Sequence, residues 1–138
     1  MFKKYDFYLN NVTVFDNYWS DFGIFDAIAV IEKFLPEDWI CLKNEISTKS
    51  AIWVISCTET LSEIRNTQAA FEILEEMLGH SNQEVVFASI DAINAMIFPG
   101  AEYPGNAARL IAILDIKANS AGRLELLVID SLRKKIAG

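Results

Sequence analysis

Cysteine, histidine, proline and glycine are all scarce in this chain, and each shortage removes a class of answers. The two cysteines, Cys41 and Cys57, form no CxxC motif, so neither a disulfide framework nor a dithiol redox pair is indicated. Both sit in apolar helical sequence and read as small buried hydrophobes. The single histidine, His80, has no second His or Cys at metal-ligand spacing, which excludes the usual zinc sites. It stands in a turn between Gly79 and Ser81, where a histidine is solvated or caps a helix, and nothing orients it for acid–base work. With 3 prolines and 6 glycines, one dense loop signal remains, Phe98-Pro99-Gly100-Ala101-Glu102-Tyr103-Pro104-Gly105. A Gly-rich phosphate loop and a nucleophile elbow are both missing, so no cofactor and no catalytic residue is expected.

Long apolar runs are missing too. The longest, Ile24–Ile31, is broken by Asp26 and ends at Glu32, too short for a membrane span. The start, Met1-Phe2-Lys3-Lys4-Tyr5-Asp6, is followed by no apolar stretch with a small-residue cleavage site, so the expected location is the cytoplasm. Cations are outnumbered, and the formal net charge is −7. Such a surface repels phosphates and argues against direct nucleic-acid binding. The one basic cluster, Arg133-Lys134-Lys135, reads as a helix C-terminus that complements the macrodipole. An acidic balance instead suits a basic partner.

What is present is a large apolar fraction, 52% of 138 residues, enough to build one domain spanning 1–138. Residues 1–19 hold Phe2, Tyr5, Phe7, Tyr8, Phe15, Tyr18 and Trp19 without a clear helical period. They read as an aromatic N-terminal cap, briefly extended at Val12–Phe15. From Ser20 the period is helical. A first helix runs from Ser20 or Asp21 to about Phe34, with Phe22, Phe25, Ile28, Ala29, Ile31 and Leu35 as its apolar positions. Pro36 opens a second, with Glu37 and Asp38 in its first turn. A third covers about Thr48–Thr58, followed by a polar stretch to Asn66. A fourth starts at Asn66 or Thr67 and stops at Gly79, burying Ala70, Phe71, Leu74, Met77 and Leu78. The next opens with a capping box between Ser81 and Glu84 and buries Val85, Val86, Ala88, Ser89, Ile93, Met96 and Ile97. Two more, about Asn106–Ala118 and Ser120–Ile136, follow the loop.

The last four helices repeat. A shift of 40 places Phe71 on Ile111, Ile73 on Ile113 and Leu74 on Leu114; a shift of 39 places Val85 on Leu124, Ile90 on Ile129, Asp91 on Asp130 and Ile93 on Leu132. Two helices per unit at this period is the signature of a helical solenoid, whose hairpins must stack to hide their apolar faces. The segment Leu78-Gly79-His80-Ser81-Asn82-Gln83-Glu84-Val85-Val86-Phe87-Ala88-Ser89-Ile90-Asp91-Ala92-Ile93 resembles the turn and second helix of a HEAT repeat. It has the Val and the small residues Ala88, Ser89 and Ala92, and departs at Phe87, where that family usually carries Arg. The resemblance implies an all-α, short right-handed α-solenoid of HEAT-like hairpins over residues 20–138.

Carboxylates are plentiful. Glu72, Glu75 and Glu76 share one helix, where such a run is the solvated face unless a cleft separates their pKa values. The second helices carry the sharper signal. Glu84, Phe87, Asp91 and Asn94 recur opposite the buried stripe, and the repeat shift carries them to Arg123, Leu126, Asp130 and Arg133. A backward shift of 38 lands on Ile46, Lys49, Trp53 and Ser56. In a stacked array these positions line one face, so Trp53, Phe87, Asp91 and Asp130 are expected there. Trp53 and Phe87 are then either interface anchors or packing between hairpins. Glu102 and Tyr103 in the long loop make a second binding candidate, with helix-end packing as the other reading.

In size, charge and helical organisation the chain resembles the small all-helical immunity proteins of bacterial polymorphic toxin and contact-dependent inhibition systems. That resemblance implies binding and neutralisation of a cognate toxin domain, commonly a nuclease, and carries no diagnostic motif. A HEAT-like adaptor or scaffold is the other reading. An enzyme such as a helical-repeat DNA glycosylase is disfavoured by the missing basic groove.

Overall fold

The computed structural model describes residues 1–12 and 19–137. All regular structure among them is helical: α1 (Phe2–Asn10), α2 (Ile24–Ile31), α3 (Pro36–Glu45), α4 (Ala51–Leu61), α5 (Thr67–Met77), α6 (Gln83–Met96), α7 (Ala107–Ala118) and α8 (Arg123–Ala137). A π-helical turn, Trp19–Gly23, leads into α2, and a 3₁₀ turn, Ile46–Thr48, follows α3.

The helix starts follow from short polar side chains. Ser50, Asn66, Asn82 and Asn106 each accept a hydrogen bond from an otherwise orphaned amide of the helix they open. The capping box expected at Ser81 and Glu84 is replaced by Asn82, whose Oδ1 accepts from the amides of Glu84 at 2.9 Å and Val85 at 3.4 Å. His80 supports that turn, since its Nδ1 accepts from the Asn82 amide at 3.0 Å. Pro36 opens α3, and Asp38 accepts from the amides of Leu35 at 2.9 Å and Phe2 at 3.2 Å. One carboxylate thereby fixes the starts of two helices.

Packing pairs α5 with α6 and α7 with α8, and lays α2 on α4, α4 on α6 and α6 on α8. Most of the expected stripe positions of the second half hold: Ala70, Phe71, Leu74, Met77, Leu78, Val85, Val86, Ser89, Ile93 and Ile97 are buried, whereas Ala88 and Met96 are only half-buried and Leu124, the counterpart of Val85, is exposed. The first half differs in three ways. The segment expected as an irregular cap contains α1, which buries Phe2, Tyr5 and Leu9, spaced three and four apart. The expected extended stretch falls mostly on residues 13–15, outside those described.

Second, α2 turns a different face inward. Phe22 and Phe25 are 62% and 63% exposed, while Gly23, Ala27, Val30 and Ile31 are buried. The π-helical turn at Trp19–Gly23 adds a residue to that turn and rotates everything after it relative to a 3.6-residue period. Buried Gly23 and Ala27 also let α1 and α4 approach α2 closely. Third, α4 is covered by α1. Ile46, Trp53 and Ser56, expected on the open face, are all buried. The Tyr5 ring stands edge-on to Trp53 at 6.0 Å and to Phe34 at 5.4 Å, and Phe34 stands edge-on to Trp39 at 5.2 Å. Part of the aromatic richness of the N-terminal third therefore serves the core, while Phe7, Phe22 and Phe25 are exposed.

Candidate partner-binding face

Helices α4, α6 and α8 form a row, with shallow grooves between them. Ser131 Oγ donates to Asn94 Oδ1 at 3.3 Å, a sequence offset of 37. Lys135 Nζ donates to the Asn94 carbonyl at 2.7 Å. The same offset pairs Phe87 with Leu124 and Asp91 with Val128, and all four line one groove of about 250 Å³. Helices α6 and α8 thus run side by side in register. Ala88 and Glu125 complete the walls, over a floor of buried Ile90.

A second groove of about 240 Å³ separates α4 from α6, with Ile55, Glu59 and Ser62 facing Ala88, Ala92 and Ala95. The alanines keep the groove shallow because they let the two backbones approach. Asp91 lines both grooves. Glu59 accepts from the Trp19 indole N–H at 2.8 Å. Burial raises its carboxyl pKa above the usual range, the Asp91 charge adds to the rise, and the Trp19 bond opposes it. Neither Glu59 nor Asp91 joins an ion pair among the described residues. The two grooves are lined by Glu59, Asp91 and Glu125 and by no Lys or Arg.

Of the residues expected to bind a partner, three meet here. Glu84 is exposed in the first turn of α6, one turn before half-buried Phe87 and two before exposed Asp91. The other four lie elsewhere. Trp53 is only 2% exposed, because α1 covers it, so it serves the core instead of an open interface. Asp130 lines neither groove; it pairs with Arg133 at 3.1 Å, which also reaches Asp115 of α7 at 2.7 Å. Tyr103 is 8% exposed, stands edge-on to Phe71 at 6.0 Å, and donates its hydroxyl to Glu75. Burial and the Glu75 carboxylate hold that phenol above its ordinary pKa. The loop is pinned to α5 by this contact, while Glu102 beside it is exposed.

Sequence reasoning missed Glu59, Leu124 and Glu125. A signal for Leu124 exists: Leu124, Leu126, Leu127, Val128 and Ile129 nearly encircle the start of α8, more apolar surface than one buried stripe uses. Leu124 is 75% exposed and Leu127 63% exposed. Nothing in the sequence marks Glu59, whose position depends on how α4 rotates beneath α1.

Among the described residues no group of His, Cys, Asp and Glu could hold a metal ion, and no helix is long and apolar enough to cross a membrane. The face offers apolar contact framed by acceptors, which suits a partner bringing cations to an apolar centre. No protein-family model, curated protein or solved structure matches the chain.

Proposed function

We propose that this chain is a short right-handed helical solenoid of HEAT-like hairpins that holds a basic protein against its α4, α6 and α8 face, and that it acts as an immunity protein neutralising a bacterial toxin domain. The observation that carries the reading is the composition of the two grooves. Three carboxylates, Glu59, Asp91 and Glu125, line them beside Phe87, Leu124 and Val128, with no cation of the chain among the lining residues. Glu59 is held by the Trp19 indole and Glu125 suits the first turn of α8, whereas Asp91 has no ion-pair partner among the described residues and lines both grooves. The net charge of −7 adds a long-range field that speeds capture of a basic domain and disfavours acidic competitors. A nuclease carries cations for phosphates, so masking them would block its substrate.

The solenoid form is supported by the parallel register of α6 and α8 and by the succession of α2, α4, α6 and α8. The test is genetic and biochemical. The neighbouring gene's product is expressed in a naive host, alone and with this chain. Arrest of growth by the first, relief by the second, and a complex surviving size-exclusion chromatography are the expected results. A harmless neighbour, or a toxic one that this chain neither binds nor relieves, would overturn the immunity reading. A complex with a harmless neighbour would make the chain an adaptor.

A further inference from the structure

The groove between α6 and α8 narrows what a partner must present, taking as premise the reading above that the chain binds a basic protein. Its about 250 Å³ falls below the roughly 300–1,000 Å³ of ordinary small-molecule sites. Its rim is nevertheless more apolar than a solvated helix pair needs. Leu124 stands on α8 at 75% exposure, with Leu127 at 63% beside the neighbouring recess, half-buried Phe87 and Val128 face inward, and no described helix covers them. Open apolar side chains gathered beside a recess mark an interaction surface.

Charge supplies the second constraint. Asp91 and Glu125 line the groove, and exposed Glu84 lies on the same face of α6. The next recess along α8 is lined by Lys134, Lys135 and Asp130 with Ser131, Leu127 and Pro99, so its charges are mixed. The α6–α8 groove itself is therefore acidic, and cations enter only in the next recess. An anionic lipid surface would be repelled by the groove, and a second copy of a −7 chain would bring like charge to it.

We infer that the α6–α8 groove receives an amphipathic helix of the partner. Apolar side chains one turn apart on that helix enter between Phe87 and Leu124 and between Asp91 and Val128. Lys or Arg residues flanking them meet Glu84, Asp91 and Glu125. A recess between two helices in parallel register suits a third helix laid along it, in the helix-in-groove mode. The carboxylates place the cations of that helix over the first turns of α8.

The probe is a synthetic Leu/Lys peptide patterned as an amphipathic helix. It is titrated into the full isotope-labelled chain and followed by amide chemical shifts. Two controls keep its composition or pattern: a scrambled sequence that has no apolar face, and a version with Glu in place of Lys. Saturable shifts centred on Phe87, Asp91, Leu124 and Val128, with both controls at least about tenfold weaker, are expected. Leu124→Glu and Asp91→Lys should each weaken binding by about tenfold or more without lowering the melting temperature, since both side chains are exposed. Shifts centred elsewhere, equal binding of the scrambled or Glu peptide, or indifference to both variants would overturn the inference. So would dimerisation of the chain alone that Leu124→Glu abolishes, because a second copy would then own the groove. The two levels separate cleanly. A groove variant that still neutralises the native partner sinks the groove and leaves the immunity reading standing. A groove that binds the peptide in a chain that neutralises nothing does the reverse.

Discussion

The indole N–H of Trp53, on α4, donates to the Asp6 carboxylate, on α1, at 3.0 Å across 47 residues of sequence. The same carboxylate accepts from Lys49 at 2.9 Å, and the Lys49 ammonium lies 5.4 Å from the centre of the Trp53 ring. This small network seals α1 onto α4 and makes Trp53 a core residue with its one polar atom satisfied. Trp53→Ala should therefore cost about 3–5 kcal/mol, read as a shift in the urea midpoint. A variant that melts like the parent would mean that α1 does not dock as described.

A second seal lies at Asp38. The Leu35 amide foremost, then the Phe2 amide and the N-terminal ammonium, hold its carboxyl below the ordinary range, against a smaller opposing effect of burial. A lowered folded pKa means that the ionised form stabilises the fold. Its contribution is complete above the unfolded value, near 3.9, and is lost as pH falls through the folded value. Asp38→Asn should cost about 1–3 kcal/mol at neutral pH, and the gap to the parent should close on acidification. Urea melts across the acid range measure it; a gap that widens in acid would reverse the sign.

Glu59 behaves in the opposite sense. Burial raises its carboxyl, with Asp91 adding to the rise and the Trp19 bond opposing it. A raised folded pKa means that the protonated form suits the fold better. That contribution is present below the ordinary carboxylate range and is lost as pH climbs through it to the raised value. At neutral pH the charge is held at a cost. Glu59→Gln keeps an acceptor for the Trp19 indole and removes the charge, so it should raise the urea midpoint at pH 7 and lose that advantage in acid. If Glu59→Gln also weakens partner binding, the charge is kept for function at the expense of stability. A neutral-pH midpoint below the parent's would show that the carboxylate is better solvated than its burial implies.

These seals mark where sequence reading stops. The second half of the chain was legible because its signals are local: Asn66 and Asn106 open helices, Leu74 and Leu114 fall on equivalent buried positions, and so do Ile90 with Ile129 and Ile93 with Leu132. The first half was not, because its burial is decided by a long-range contact. Period alone cannot tell that α1 returns to cover Trp53, or that a π-helical turn rotates α2 and leaves Phe22 and Phe25 outward. The repeat also misleads at its edge. Val85 is fully buried while its counterpart Leu124 is 75% exposed, because α6 lies between α4 and α8 whereas α8 has a described neighbour in that row on one side only. Of the candidate site, Glu84, Phe87 and Asp91 were legible from helical spacing. Glu59 and Glu125 needed the grooves.

The last prediction concerns how capture proceeds. If a basic partner is drawn in by charge, raising salt should slow association and change dissociation less, since screening acts over about 8–10 Å near physiological ionic strength. Asp91 lines both grooves and has no ion-pair partner among the described residues, whereas Asp130 lines neither groove and already faces Arg133. Asp91→Lys should therefore slow association more than Asp130→Lys, although repeat spacing alone would equate the two. Glu72→Lys, on α5 and already beside Lys43, should matter least. Phe87→Ala should instead speed dissociation, because it removes apolar contact rather than field. Stopped-flow association and surface-plasmon dissociation on melt-matched variants give all four comparisons. Association equally slowed by Asp130→Lys and Asp91→Lys would mean that the partner reads the net charge of the chain and not this face.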